Sequence, residues 1–307
     1  MAQRFSVTLT QLSYFAECAK TLNMTLASQE LHVAQSAVST AISHLERALG
    51  ASLFIRQRAR GLILTPAGEQ LLHDTHRVFG LLADSIDSIR ADGDEVRGSI
   101  TVACFKTLAP FLLPLLIARL HDRHPELSAE FVEGDNEETL AALRSGRAEI
   151  AVNYRFGDAE GISSEHAGDV RPHVVLPAGH PLAERQDIAL AELAGEPLVL
   201  LDLPDSSGYF LDILRGAGVA PQVKHRTSSY ETVRSMVAMG LGYSILNQRP
   251  RIPGTYTGDA VATVAIRDET PALEIVVSSL AQVHRSARAR AVADLVREII
   301  AEQQPAG

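Results

Sequence analysis

QSAVSTAISHLERALG, residues 35–50, begins with small polar side chains and ends as an amphipathic helix. Apolar residues at Ala34, Ala37, Val38, Ala41, Ile42, Leu45 and Leu49 recur at helical spacing and predict a buried stripe. Gln35, Ser36, Ser39, Thr40, Ser43 and Arg47 fall on the opposite face, and Gly50 supplies the stop. A helix that only packs would carry long charged residues on its outer face, so this slim leading end predicts close approach by a partner. Major-groove DNA is such a partner, because a helix enters it only where the side chains let the backbone come near the base edges.

The neighbouring stretches fit that reading. Upstream, TLTQLSYFAECAK opens with a capping box, Thr8 and Gln11, and places Leu9, Leu12, Phe15, Ala16 and Ala19 on one face. TLASQELH follows the capping candidates Asn23 and Thr25, with Leu26, Ala27 and Leu31 on its apolar side. Downstream, SLFIRQRARGLILT reads as two short strands around Arg60 and Gly61, with Arg56, Arg58 and Arg60 near the tip. Three helices and a hairpin of this kind form a winged helix-turn-helix over residues 1–65. Thr65 and Pro66 then start a long helix, 66–91, in which Leu71, Thr75, Val78, Leu82, Ile86 and Ile89 form a narrow seam suited to pairing with a second helix.

Beyond the Asp- and Gly-rich segment at 91–98 the pattern changes to alternating strands and helices: SITVACF, a helix to His124, LSAEFVE, a helix from Glu137 to Ser145, and EIAVN. A second set follows in HVVL, PLVLL, a helix from about Tyr209 to Arg215, VKHRT, a helix from Glu231 to Met239, and GYSIL. The chain closes with LEIVVSSL and a helix over Ser286–Gln303. Alternation predicts an α/β region, 92–307, with parallel sheet in two lobes. Periodicity alone leaves open whether the last strand and helix rejoin the first lobe.

Bulk properties constrain the function. The net charge of −9 excludes a globally basic nucleic-acid binder, yet residues 1–66 carry six Lys or Arg against three Glu, a net of +3 that leaves −12 for the rest. The opening MAQRFSVTLTQLSYF has no apolar core or cleavage signature, so a cytoplasmic protein is expected. The longest apolar run, Leu108–Ala118, contains Pro110 and Pro114 and is too short for the ~20 residues a membrane span needs. Cys18 and Cys104 are far apart and predict reduced, buried thiols rather than a disulfide or zinc site. No GxSxG, GxGxxG after a strand, or HExxH is present, so neither an enzyme nor a metal or cofactor site is expected. A solute receptor would account for residues 99–303 but not for the basic head.

The order of elements, the run QSAVSTAISHLERALGASLFIRQRARGLILTPAGEQLL (35–72) and HPLA (180–183) resemble the LysR-type transcriptional regulators over nearly the whole chain. The resemblance implies an α/β multidomain protein: a winged helix-turn-helix, a dimerising linker helix, and a two-lobed effector domain like a periplasmic binding protein. Lobe I is expected at about 98–162 and 266–303, and lobe II at about 163–265. It also implies contacts to double-stranded DNA at a pseudo-palindromic promoter site from Gln35, Ser36, Ser39, Thr40 and Ser43, backed by Arg56, Arg58 and Arg60 of the wing. A homodimer or homotetramer is expected, with RNA polymerase a candidate partner, and a small effector is expected to close the lobes. Two departures stand out: Ser28 in NMTLAS, where an Ala is usual, and Thr40, where many members carry Arg.

Ligands of two-lobed domains sit at strand ends and helix amino termini, where free N–H groups favour anions or polar oxygens. Three rims meet that rule: FKTLAP with Lys106 and Thr107, DLPDSSGYF with Ser206, Ser207 and Tyr209, and RTSSYETV with Ser229 and Tyr230. Lys106, one of only three lysines, points to a carboxylate effector, and the hydroxyls to a polar one.

Overall fold

A computed structural model describes residues 7–57, 61–90 and 96–303. The chain divides into two compact units, one of residues 1–95 with 144–147 and one of the remainder.

In the first unit α1 (Leu9–Thr21), α2 (Met24–Glu30) and α3 (Gln35–Leu49) pack mutually, followed by an antiparallel hairpin of β1 (Phe54–Gln57) and β2 (Gly61–Leu64) and the 25-residue α4 (Pro66–Arg90). The expected caps are present. Thr8 and Gln11 bond reciprocally, the Asn23 carboxamide oxygen accepts from Thr25 N and Leu26 N, and Gly50 closes α3 at φ 67°. The core is small: Phe15 and Cys18 of α1, Val38, Ile42 and Leu45 of α3, and Leu53, Phe54 and Leu62 of the hairpin region. It is narrower than the sequence stripes. Leu9, Leu26, Ala34, Ala37 and Leu49 stay exposed, because hairpin side chains complete the core and the helix ends project past it.

Motif residues hold this unit together. Glu46 Oε1 accepts from Leu53 N at 2.8 Å, tying α3 to the first wing strand. Thr65 accepts from Gly68 N at 3.0 Å as the cap of α4 and donates to Ser52 O at 2.7 Å. A Cβ on Gly68 would lie 2.2 Å from Leu53 O, so only glycine lets α4 sit this close. Ser28, the departure noted above, is buried and donates to Thr25 O at 2.8 Å, so its hydroxyl is satisfied within α2.

In the second unit, lobe I contains β3 (Gly98–Phe105), α5 (Ala109–Arg123), β4 (Leu127–Gly134), α6 (Asn136–Arg144), β5 (Ile150–Tyr154) and β6 (Ile162–Val170). Lobe II contains β7 (His173–Pro177), β8 (Asp187–Ile188), β9 (Pro197–Leu201), α7 (Ser206–Gly216), β10 (Gln222–Thr227), α8 (Tyr230–Ala238), β11 (Ser244–Leu246) and β12 (Val261–Ile266). β13 (Leu273–Leu280) and α9 (Ala287–Gln303) then return to lobe I, giving the sheet order β4-β3-β5-β13-β6 with α9 against α5.

Both lobes are mixed rather than purely parallel. β3 runs parallel to β4 and β5, but β13 is antiparallel to β5 and β6, and β7 is antiparallel to β11 and β12. Tyr243 joins the parallel β9-β10 pair to the lobe II sheet: Val199 N donates to its carbonyl at 2.8 Å, and its N–H donates to Pro197 O at 2.9 Å. The first crossing between lobes lies at 171–172, not at 162–163, because β6 pairs with β13 along its length. The second crossing lies at 267–272, between β12 and β13.

Candidate functional site

Two surfaces carry the residues singled out from the sequence. On the first unit, α3 presents Gln35, Ser36 and Thr40 to solvent, with Ser39 and Ser43 half-buried at the margins. Ala37, His44 and Arg47, outside the predicted contact set, are also exposed. The helix has no side-chain cap, so no side chain neutralises its positive dipole end, although Ala37 N and Val38 N donate back to Ala34 O. An exposed end that is slim and polar suits a phosphate-lined groove. Arg56 lies on β1, but its side chain is outside the described residues, as are Arg58 and Arg60. Along α4, Val78, Leu82 and Ile86 are exposed at successive four-residue steps, whereas Thr75 is buried.

The second surface is a cleft between the lobes of the second unit. From lobe I it is lined by Phe105 at the end of β3 with Thr107 just after it, Tyr154 at the end of β5 with Phe156 just after it, and Leu273 at the start of β13. Lobe II contributes Leu201, Ser206 and Phe210, Tyr230, and Leu246 to Gln248. Phe105, Tyr154 and Phe156 form an aromatic cluster with centroids 5.1–6.0 Å apart. The lobes already touch: Gln248 Nε2 donates to Tyr154 Oη at 3.0 Å, and Asn136 Nδ2 donates to Asp205 Oδ2 at 2.8 Å. The space left for water centres is about 10 Å3, room for about one molecule. Burial pushes the Tyr154 phenol up to about 12, with Thr107 and Gln248 as hydrogen-bonding neighbours that partly oppose the shift, so it is neutral near pH 7.

Of the rim residues read from sequence, Thr107, Ser206 and Tyr230 line this cleft. Ser206, at the amino end of α7, is only 4% exposed and its Oγ has no hydrogen-bond partner. Tyr230 donates to Gln248 O at 2.6 Å and packs edge-on to Phe111. The other four do not line it. Lys106 Nζ turns to Glu138 at 3.5 Å and Asp135 at 3.8 Å, Ser229 accepts from Thr232 N as the cap of α8, and Tyr209 donates to Pro271 O at 3.1 Å beside a separate surface groove. Ser207 follows on α7 outside the lining. The sequence pattern does not single out the aromatic walls or the Asn247–Gln248 pair. Strand-end aromatics look like core, although the polar pair directly after GYSIL was a visible sign.

Among the described residues no group of three or more metal-ligating side chains converges, and no helix is long and apolar enough to cross a membrane. Both cysteines are buried and free, one in each unit. Burial chiefly, with Glu133 second, pushes the Cys104 thiol far above its ordinary range.

Comparison with known proteins bears on both units. Residues 9–69 match the bacterial regulatory helix-turn-helix protein, lysR family, and residues 93–301 match the LysR substrate binding domain. The HTH-type transcriptional regulator YvbU of Bacillus subtilis (strain 168) is 32% identical over 246 residues, 79% of this chain and 82% of that protein. A probable hydrogen peroxide-inducible genes activator of Mycobacterium avium is 28% identical over 305 residues, 97% of this chain and 96% of that protein. The crystal structure of HinK, a LysR family transcriptional regulator from Pseudomonas aeruginosa, superposes with a TM-score of 0.66 at 31% identity, covering 96% of this chain and 98% of that one.

Proposed function

The chain belongs to the LysR family of DNA-binding transcriptional regulators, and from that premise we propose that a small polar effector held between the two lobes modulates its binding to a pseudo-palindromic promoter site. The DNA-reading part of this proposal is carried by the exposed, uncapped amino end of α3. Gln35 and Ser36 read base edges, Ser39, Thr40 and Ser43 support them, and Arg56, Arg58 and Arg60 hold phosphates from the wing.

Ser and Thr bring no charge, and Thr40 stands where a guanidinium would have added one. Affinity therefore comes from the wing, from helix dipoles and from two or four heads acting together. The exposed seam of α4 joins the heads in a homodimer or homotetramer. Cytoplasmic placement and contact with RNA polymerase follow from the role.

A salt series of electrophoretic mobility shifts with the intact protein on candidate promoter fragments tests this. Gln35→Ala shifts base preference at the half-site by about 1–3 kcal/mol, while Arg56→Ala weakens all sequences and lowers the salt slope by about one per head. If Gln35→Ala left preference unchanged while Arg56→Ala abolished it, the wing would be the reading element.

The peroxide response in the name of the Mycobacterium relative does not carry over, because the effector unit has a single cysteine and it is deeply buried. A peroxide effect on promoter occupancy that disappears in Cys104→Ser would reverse that conclusion.

A further inference from the structure

We infer that the effector is an electrically neutral aromatic compound carrying an amide-type donor and acceptor, rather than a carboxylate. The inference rests on the reading of the interlobe cleft as the effector site. Among the described residues no charged side chain lines that cleft. Lys106, the cation the sequence offers at this rim, is engaged by Asp135 and Glu138. Arg234 of α8 is 5% exposed and spent on Glu231 and on the carbonyls of Pro253 and Gly254. A carboxylate entering here would lose its hydration and find no counter-ion.

The polar atoms that lack partners define what is wanted instead. Asn247 Oδ1 is a buried acceptor with no hydrogen-bond partner among the described residues, and Ser206 Oγ is the second such atom in the lining. A carboxylate has no proton for Asn247 Oδ1, whereas an amide gives it an N–H and takes the Ser206 hydroxyl on its carbonyl.

The flat, apolar part is set by the walls. Phe105, Tyr154 and Phe156 present ring faces and edges that a second aromatic ring extends. Because the cleft holds about one water, a ring enters by displacing lining groups, and Gln248–Tyr154 is the bond between lining residues that joins the two lobes. The ligand thus wedges the lobes apart, the opposite of the closure expected from the sequence, and biases the domain toward a state in which the Gln248–Tyr154 bond is broken.

Paired probes on the full-length protein test this by isothermal titration and thermal shift: benzamide and nicotinamide against benzoate and nicotinate at matched ionic strength. The amides are expected to bind at least about tenfold tighter than their acids. Asn247→Leu removes that preference, and Ser206→Ala weakens amide binding. Equal or tighter binding of the acids overturns the inference while leaving the cleft as the effector site. Absence of any amide-induced shift at about 10 mM also overturns it, since even weak binders raise apparent stability at that concentration. Failure of the underlying reading has its own signature: amide binding unchanged in the cleft-filling variant Ser206→Phe puts the ligand elsewhere and removes both conclusions.

Discussion

Replacing Leu82 with Asp tests how the DNA-binding heads are joined. Val78, Leu82 and Ile86 are 42%, 40% and 38% exposed within one chain, so well over a third of each remains to be covered. Full burial of such a side chain contributes about 1.5–3 kcal/mol, so covering the remaining fraction is worth ~1 kcal/mol per residue and ~6 kcal/mol for three residues on two chains. Leu82→Asp removes ~2 kcal/mol of that and places two carboxylates in an apolar seam at ~1 kcal/mol or more each. The sum, ~4 kcal/mol, raises the dimer dissociation constant about a thousandfold. Sedimentation velocity at micromolar protein should show monomer, and promoter affinity should fall by about 10²–10⁴ as bivalency is lost. Ile252→Asp, which alters an exposed apolar residue on lobe II, leaves both readouts unchanged. A Leu82→Asp protein that stays dimeric and binds promoter normally would refute the reasoning and move the dimer contact off this seam.

Gly68→Ala forces a methyl group to within 2.2 Å of Leu53 O and 2.8 Å of Leu64 Cδ2, so α4 must lift from the wing. A loss of ~2 kcal/mol or more, read as a lowered Tm with weaker DNA binding, is expected. His173 is buried on β7, and burial first, then Arg249, lowers its pKa from 6.5 to about 3. Its folded pKa lies below the unfolded one, so its contribution is intact above pH 6.5 and is lost as pH falls from 6.5 toward 3, by up to a few kcal/mol. His173→Phe should flatten that acid limb in chemical denaturation at pH 4–7, and an unchanged slope would exclude the assignment.

Much of this architecture is legible in the chain. Capping residues at Thr8, Asn23 and Gly50 mark helix ends through local chemistry, which is why α1 to α3 are readable residue by residue. β6 is not readable, because Ser163, Ser164, Glu165, His166 and Asp169 give an edge strand the composition of a loop. β12 has a recognisable strand run, VATVAI, but the alternation of strands and helices does not reveal it or the antiparallel character it gives lobe II. The candidate sites divide in the same way. Slim residues on α3 reveal a face because helical geometry fixes where they point. The fate of Lys106 depends on Asp135 and Glu138, brought up by β4 and α6 from some thirty residues away, which no local pattern encodes.

One feature of α3 has an evolutionary consequence. The side chains of Gln35, Ser36 and Thr40 make no hydrogen bond or ion pair among the described residues and contribute nothing to the core beneath them. Mutations at these three positions are therefore nearly free of folding cost. Glu46, Thr65 and Gly68 hold the scaffold rigid beside them. Operator preference can drift across lineages by point changes on this face, each tested by selection for what it recognises and not for whether the head still folds.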